Sequence, residues 1–306
     1  MLPFVLSLSA SLVALQALPS LSEPSNTLEA ATAGPSSIAI FQTGDEDTTI
    51  YMMGTVHILQ PGLDWETPAF QRAWGSADAV YFEADVTSPE ASQAASAIVM
   101  REGILTDGRT LSSFFSSAEK ASLNDALDEL GLTLSVFANI RPWLASIQIA
   151  QRALMNLGGD PTAGVDMMLI ERAKAEGKER RYFETLPEQL EVLIGIPDEA
   201  WADSMIEGID ELQDTEHYFA ELVGLWWSGD AEALGAVMTE AWEATPILKE
   251  RLLDDRNIAW AETLSQLIEE EEGVFLVAVG AGHLGGEGSL QEVLEAEGYA
   301  VERVPN

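Results

Sequence analysis

The apolar, β-branched runs of this chain cluster near its two ends, and a long stretch of helical periodicity separates them. Short runs of this composition predict strands, and amphipathic segments alternate with them. We expect strands over 38–43, 48–53, 79–82, 180–183, 274–279 and 299–304. The alternation predicts an α/β fold. Its central sheet would be mixed, mostly parallel and built from the N- and C-terminal thirds, with a large helical middle region.

The helical middle region is expected from about 88 to 270, as an insertion in one folded domain over 37–306. Ser116 and Glu119 have the spacing of a capping box, and Pro142 stands where a helix would begin. Tryptophans are spread along this region and are most simply explained as core residues. No repeat of solenoid length is visible.

The N-terminal segment has the pattern of a secretory signal. Residues 1–22 carry no charged side chain, and 2–18 are apolar with interspersed Ser and Ala. Ser20 and Ser22 place small residues where a signal peptidase reads them. We predict a signal peptide over 1–22, a flexible leader over 23–36, and an exported protein that is periplasmic or membrane-anchored facing the periplasm. Because no Lys or Arg precedes the apolar run, retention of 2–18 as an anchor is the alternative.

Composition excludes several function classes. The chain has 15 basic and 51 acidic side chains, for a formal charge of −36. Binding to nucleic acid is therefore not expected, because phosphates require Lys and Arg. There is no Cys, so thiolate catalysis is excluded. Any metal would be held by His, Asp, Glu or carbonyl oxygens.

Two of the three histidines end the same phrase. Each follows an apolar run and stands three residues after a glycine, as Gly54-Thr-Val-His57 and Gly280-Ala-Gly-His283. We expect the glycine to let the backbone turn sharply and to free space beside a site. The third histidine, His217, falls on a predicted helix and is expected to be structural or solvent-facing.

Four predicted strands end in a side chain that can bind metal or move protons: His57, Glu83, Glu184 and His283. If these strands are parallel neighbours, the four side chains share the crevice beyond their carboxyl ends. Two imidazoles and one carboxylate are the ligand set of an open metal site. The second carboxylate would act as a general base or hold a ligand in place.

Structural interpretations of the same residues stay open at this point. A histidine such as His57 is often a core or loop residue, and Glu184 would also suit the start of the next helix. The glycines around 280–282 raise a nucleotide interpretation, but the spacing of a dinucleotide fingerprint is missing.

Together these phrases resemble the TraB/GumN family, which is related to the Tiki metalloproteases. The resemblance covers nearly the whole of the chain after the leader. It is carried by Gly54–His57, Tyr81–Asp85, Arg141–Trp143, Gly164–Asp166, Phe183–Thr185 with Gln189, Arg256–Asn257 and Val279–Leu284.

The resemblance implies an α/β fold in which the two histidine phrases meet, and in the Tiki branch it implies metal-dependent hydrolysis of peptide bonds. Carried over residue by residue, His57, Glu83 and His283 would hold the metal. Glu184 would be the base or a fourth ligand.

The remaining motif residues would support the reaction. Arg256 and Asn257 would face the site and stabilise an oxyanion, as cationic and amide donors can. Asp166 would orient a neighbouring side chain.

The expected function is an exported metal-dependent hydrolase, a peptidase, with a peptide or protein substrate. Its cofactor would be a divalent ion such as Mn, Co or Zn, among which the sequence does not choose. The alternative is a non-catalytic periplasmic protein that binds a peptide or haem. A third interpretation is metal-free acid–base hydrolysis by His57 and Glu83.

Overall fold

A computed structural model of the chain describes residues 26–306. The signal peptide predicted over 1–22 lies outside the described residues. The segment predicted as a leader contains a short helix, α1 (Asn26–Ala31), and its Leu28 side chain is buried in the core. No helix within 26–306 has the length and hydropathy needed to cross a membrane.

The sheet has six strands, in the order β4-β3-β5-β2-β1-β6. They are β1 (Ile40–Gly44), β2 (Thr48–Thr55), β3 (Ala79–Ala84), β4 (Glu179–Glu184), β5 (Gly273–Gly280) and β6 (Glu302–Arg303). The four strands β4, β3, β5 and β2 run parallel, whereas β1 is antiparallel to both β2 and β6. The prediction of a mixed, mostly parallel sheet is confirmed.

Two strands differ from the sequence expectation. β4 comes from the helical middle region, so the sheet is not made from the two ends of the chain alone. β6 covers only Glu302–Arg303, which pair with Gln42 and Phe41 of β1 and are both exposed.

Helices surround the sheet and fill the middle of the chain. Beyond α1 they are α2 (Pro68–Ser76), α3 (Pro89–Glu102), α4 (Ser117–Glu129), α5 (Pro142–Asn156), α6 (Val165–Glu176), α7 (Leu186–Gly195), α8 (Asp198–Glu207), α9 (Ile209–Gln213), α10 (Thr215–Ser228), α11 (Ala231–Glu240), α12 (Pro246–Lys249), α13 (Asp255–Glu270) and α14 (Leu290–Ala296). The predicted capping box is present at α4, and Pro142 is the first residue of α5. Gly177 ends α6 with a φ of 71°, a left-handed conformation that favours glycine.

Both faces of the sheet are covered, so the central strands are buried throughout. On β3, Val80 and Phe82 pack into the larger core, while Ala79 and Tyr81 pack into a second core on the other face. All six β3 residues are buried, which is typical of a parallel strand between helical layers. The tryptophans of the middle region are buried, as expected of core residues: Trp143, Trp201, Trp226, Trp227, Trp242 and Trp260.

Gly54 is required by a close approach of two backbones, not by a turn. It lies within β2, and a Cβ added there would stand 2.8 Å from the Cα of Ala281. Its carbonyl accepts a hydrogen bond from the Trp226 indole at 2.8 Å. Gly280 is the last residue of β5, with a φ of −50°, and the 3₁₀ turn Ala281–Leu284 follows it directly. The expectation of a sharp turn is therefore wrong at Gly54, where the space left by the missing Cβ is occupied by Ala281.

We predict that Gly54→Ala destabilises the fold by about 1–3 kcal/mol, because overpacking forces the two backbones apart. Gly75→Ala is the matched control: Gly75 lies in α2 with open space around it, so alanine should be neutral or stabilise by up to about 1 kcal/mol. Denaturant unfolding of both variants measures the difference. Equal stabilities would contradict the assigned role of Gly54.

Candidate functional site

The parallel register brings the two histidine phrases to the same edge of the sheet. β2 and β5 are direct neighbours, with Gly54 opposite Val279 and Thr55 opposite Gly280. The chain then leaves β2 toward His57, and it leaves β5 in a 3₁₀ turn, Ala281–Leu284, that carries His283. β3 and β4 lie on the other side of β5. All four predicted strand-end residues therefore belong to parallel neighbours.

The two imidazoles converge on one carboxylate oxygen. His57 Nε2 and His283 Nε2 each lie 3.9 Å from Glu83 Oε1. All three residues are buried, with His57 1% exposed, Glu83 4% and His283 0%. The first and last thirds of the chain thus meet at a single protected centre.

The Glu83 carboxylate is held on both of its oxygens. The Gly280 N–H donates to Oε1 at 2.7 Å, while Gln189 Nε2 and Arg256 Nη2 donate to Oε2 at 3.0 and 2.7 Å. A buried carboxylate costs several kcal/mol unless it is paired and hydrogen-bonded. These contacts provide that compensation and fix the direction in which Oε1 faces.

His57 is oriented from its other ring nitrogen. Its Nδ1 lies 3.0 Å from Asp166 Oδ1, near the start of α6. The preceding Gly164 allows α6 to approach, because a Cβ there would stand 2.2 Å from the His57 carbonyl oxygen. Within the described residues, His57 Nε2 is buried and has no hydrogen-bond partner. This nitrogen faces the Glu83 carboxylate.

The pKa values of the two histidines move in opposite directions. Burial would lower the pKa of His57, but the carboxylates of Asp166 and then Glu83 outweigh it, so its pKa is raised above 6.5. The pKa of His283 is lowered well below 6.5 by burial, by the Arg256 cation and by His57. His283 is therefore neutral at pH 7, whereas His57 holds a proton more strongly than an ordinary histidine.

The tautomer of His283 follows from its partners. Asn257 Nδ2 donates to the Gly288 carbonyl at 2.8 Å, so the amide oxygen faces His283 Nδ1 at 2.7 Å. Since this oxygen can only accept, Nδ1 carries the proton and Nε2 has the lone pair. Arg256 Nη1 lies 3.1 Å from that Nε2. The ring also packs on Trp260, with centroids 4.3 Å apart.

Arg256 is the cation at the centre of the site. It lies in the first turn of α13, directly after a π-helical turn, Glu250–Asp254. Besides Glu83, it pairs with Glu184 through Nε at 2.8 Å and Nη2 at 3.1 Å. Burial alone would lower the pKa of Arg256, but the two carboxylates raise it, so the guanidinium stays charged.

Glu184 is the most accessible member of the group, with its side chain 14% exposed. Trp260 Nε1 donates to its Oε1 at 3.1 Å, in addition to the contacts from Arg256. The cap of α7 is the next residue, Thr185, whose hydroxyl accepts from the Glu188 backbone N–H. The alternative in which Glu184 starts the helix is therefore wrong, because its carboxylate points to the site instead.

The family resemblance implies a divalent metal, for which His57, Glu83 and His283 are the candidate ligands. No group of three or more His, Asp or Glu side chains within 26–306 stands in a ready coordination arrangement. The Arg256 guanidinium contacts His283 Nε2. The chemistry nevertheless fits: the unpartnered His57 Nε2 and the neutral His283 both face Glu83 Oε1, and N and O donors suit Mn, Co or Zn.

The formal charge of the site also suits a divalent cation. The carboxylates of Glu83, Glu184 and Asp166 face a single guanidinium, that of Arg256. With both histidines neutral, the group carries two uncompensated negative charges. Buried charge is strongly unfavourable unless it is neutralised. A proton on His57 would compensate one of the two charges, and a divalent ion would compensate both.

Two site residues, Gln189 and Trp260, have contacts that the sequence pattern does not predict. Gln189 belongs to a recognised phrase, yet only the packing of α7 reveals its bond to Glu83. Trp260 was expected in the core, and its indole N–H additionally binds Glu184. Its place four residues after Arg256, on the same helical face, is the sequence signal that could have identified it. His217 is exposed on α10, as expected.

Comparison with known proteins gives one family and two curated relatives. A family model described as the TraB/PrgY/gumN family matches residues 39–303. The chain is 22% identical to the uncharacterized protein YbaP of Escherichia coli K12 over 80% of its own length and 87% of the relative's. The match to YbaP of Shigella flexneri has the same identity and coverage. No solved structure matches the chain.

We predict that Asp166→Asn lowers the pKa of His57, because burial then acts without its nearest opposing carboxylate. A raised pKa stabilises the fold below the unfolded value of 6.5 and loses this contribution as pH rises through the folded value. The stability advantage of the native chain over the variant should therefore shrink with rising pH. NMR titration of the histidines and denaturant unfolding, both in chelator, measure these effects. An unchanged His57 titration would contradict them.

Proposed function

This chain belongs to the TraB/PrgY/gumN family, and we propose that it is an exported metal-dependent hydrolase that cleaves peptide bonds. The observation that carries the proposal is the convergence of His57 Nε2 and His283 Nε2 on Glu83 Oε1, with His57 Nε2 lacking any partner in the described part of the chain. A buried, unpartnered imidazole nitrogen costs free energy, and a metal ligand role accounts for it.

His57, Glu83 and His283 would hold the ion, which we propose to be Mn, Co or Zn. Such an ion supplies Lewis acidity when bound: it polarises a carbonyl group and makes water more acidic. Asp166 and Asn257 fix the two imidazoles from their Nδ1 sides at 3.0 and 2.7 Å, the arrangement in which second partners tune histidine ligands.

Glu184 is proposed as the general base, because its side chain is the most accessible of the four strand-end groups. A base must reach both solvent and the reacting atoms. Arg256 is proposed to stabilise the developing oxyanion. Both amide atoms of Asn257 are already engaged, by His283 and by Gly288, so we now propose for Asn257 a positioning role rather than oxyanion binding.

Export and the peptide substrate rest on the sequence. The apolar, uncharged segment over 2–18 and the absence of Cys are compatible with a periplasmic location or with anchoring to the membrane that faces it. The peptide class follows from the resemblance to the Tiki branch. The acidic surface supports a substrate or partner other than nucleic acid.

Metal-free acid–base hydrolysis is the second candidate, and one observation favours it. The Asp166–His57 pair leaves a basic imidazole nitrogen free beside Glu83, as a general base would be. The cavity lined by His57, Glu83 and Asp166 has a volume of about 10 Å³, space for one water molecule. Haem or a peptide would therefore reach these residues only if the surrounding side chains moved apart.

We predict that the purified full chain binds one divalent ion. We expect His57→Ala to lower the affinity for that ion at least tenfold to hundredfold, about 1.4–2.8 kcal/mol. His217→Ala is the matched control, because this histidine is exposed on α10. Metal analysis and calorimetry with Mn, Co and Zn measure binding, and a peptide library measures hydrolysis. Equally poor binding by the native chain and both variants would rule out the metal site, and hydrolysis that survives exhaustive chelation would select the metal-free candidate.

We predict that metal affinity rises with pH. The pKa of His57 is raised, so below it a bound proton must leave before Nε2 can coordinate. From about pH 6 upward, affinity should rise by roughly tenfold per pH unit and level off above the pKa of His57. His283 adds no slope in this range because its pKa is lowered. A pH-independent affinity measured by calorimetry would show that His57 is not a ligand.

A further inference from the structure

Every N–H of the Arg256 guanidinium is engaged. Nε and Nη2 donate to Glu184, and Nη2 also donates to Glu83. Nη1 donates to the Leu252 carbonyl at 3.2 Å and contacts His283 Nε2 at 3.1 Å. A guanidinium has five N–H groups, so this one has none left for a substrate oxygen. To act on an oxyanion, Arg256 must first release a partner.

One of these partners is also a proposed metal ligand. With Nδ1 of His283 bound to the Asn257 oxygen, Nε2 has a single in-plane lone pair. That lone pair accepts from Arg256 Nη1 in the structure. Coordination of an ion needs the same lone pair. The arginine and the metal therefore exclude each other at this atom.

We propose that Arg256 competes with the metal for the lone pair of His283 Nε2. A metal that displaced Arg256 there would leave one N–H of the guanidinium available to bind an oxyanion. The inference rests on the proposed function. Metal binding would free one Nη1 N–H, while the bonds to Glu83 and Glu184 keep the guanidinium in place. This Nη1 N–H would thus be available to a substrate oxyanion only in the metal-loaded protein. Without the metal, the protein would not bind its substrate productively.

Two features of the backbone around Arg256 bear on this displacement. Arg256 follows the π-helical turn Glu250–Asp254, and Nη1 holds the Leu252 carbonyl within it. Single π-helical turns are rare in proteins, and those that occur are often found at functional sites. The adjacent Asn257 holds the opposite side of the same imidazole. When Nη1 leaves, His283 therefore keeps its orientation.

The direct test follows the histidines of the native chain by ¹⁵N NMR during titration with Zn²⁺. Three histidines give a simple spectrum. We expect His283 Nε2 to move from a hydrogen-bonded to a metal-bound shift. At the same stoichiometry, one Arg256 Nη resonance should lose protection from solvent exchange. Zn²⁺ binding with an unchanged Arg256 resonance would overturn the proposal.

Variants separate competition from simple charge repulsion. Arg256→Met removes both the charge and the competing N–H, whereas Arg256→Lys keeps the charge on a point-like ammonium that cannot hold His283 and both carboxylates together. Competition predicts that both variants bind Zn²⁺ at least about tenfold more tightly than the native chain. Arg181→Met is the matched control, because Arg181 pairs with Glu271 and Tyr81 outside the site.

Each outcome has a distinct meaning. Tight binding by Arg256→Met alone would indicate charge repulsion and overturn the competition, as would weaker binding by both variants. Equal affinities across all four proteins would also overturn it while the proposed function stands. If neither the native chain nor any variant binds Zn²⁺, the proposed function itself fails. Should the variants fold poorly without metal, the NMR titration of the native chain still decides the question.

Discussion

The buried carboxylate of Glu83 is the interaction on which the site depends. An isolated ionised group at this depth would be strongly unfavourable, yet Glu83 is only 4% exposed. Its charge is balanced by Arg256 and its oxygens are held by Gln189 and the Gly280 N–H. These partners come from a helix of the middle region, a second helix and the end of β5. The position of each element is thus fixed by the need to satisfy one side chain.

The parallel topology explains why two similar phrases stand so far apart in the sequence. β2 and β5 are neighbours in the sheet, so two chain segments leave the same edge side by side. At the exit of β2, Gly54 and Ala281 pack so closely that a Cβ on Gly54 would not fit. The glycine of the first phrase is therefore a packing requirement, and the feature that the two phrases share in the structure is the convergence of their histidines on Glu83.

Much of this arrangement could be predicted from sequence, because strand ends and their terminal residues are local features. His57, Glu83 and His283 follow apolar runs of the right length, Glu184 ends a short strand that is apolar only at Tyr182 and Phe183, and parallel strands bring such ends together. The roles of the residues on helices could not be predicted in the same way. The direction of Arg256 and Asn257 depends on the phase of α13 after a π-turn, and a π-turn has no clear sequence signature. The close approach of Gly54 to Ala281 depends on packing between distant segments, so local pattern suggested a turn instead.

The contacts that compensate the buried charges of the site also limit which further groups Arg256 can bind. A guanidinium with all of its N–H groups engaged is a good counter-ion and a poor oxyanion donor, because donation to a substrate requires the loss of an existing bond. Of its partners, the two carboxylates are charged and the Leu252 carbonyl belongs to the backbone. The His283 lone pair and the Leu252 carbonyl are the two uncharged acceptors of this guanidinium, and bonds to the two ionised carboxylates are expected to be the stronger ones. If the proposed function holds, the His283 lone pair is also the acceptor that a metal would need, so occupation of this one nitrogen atom and release of an Arg256 N–H would be linked.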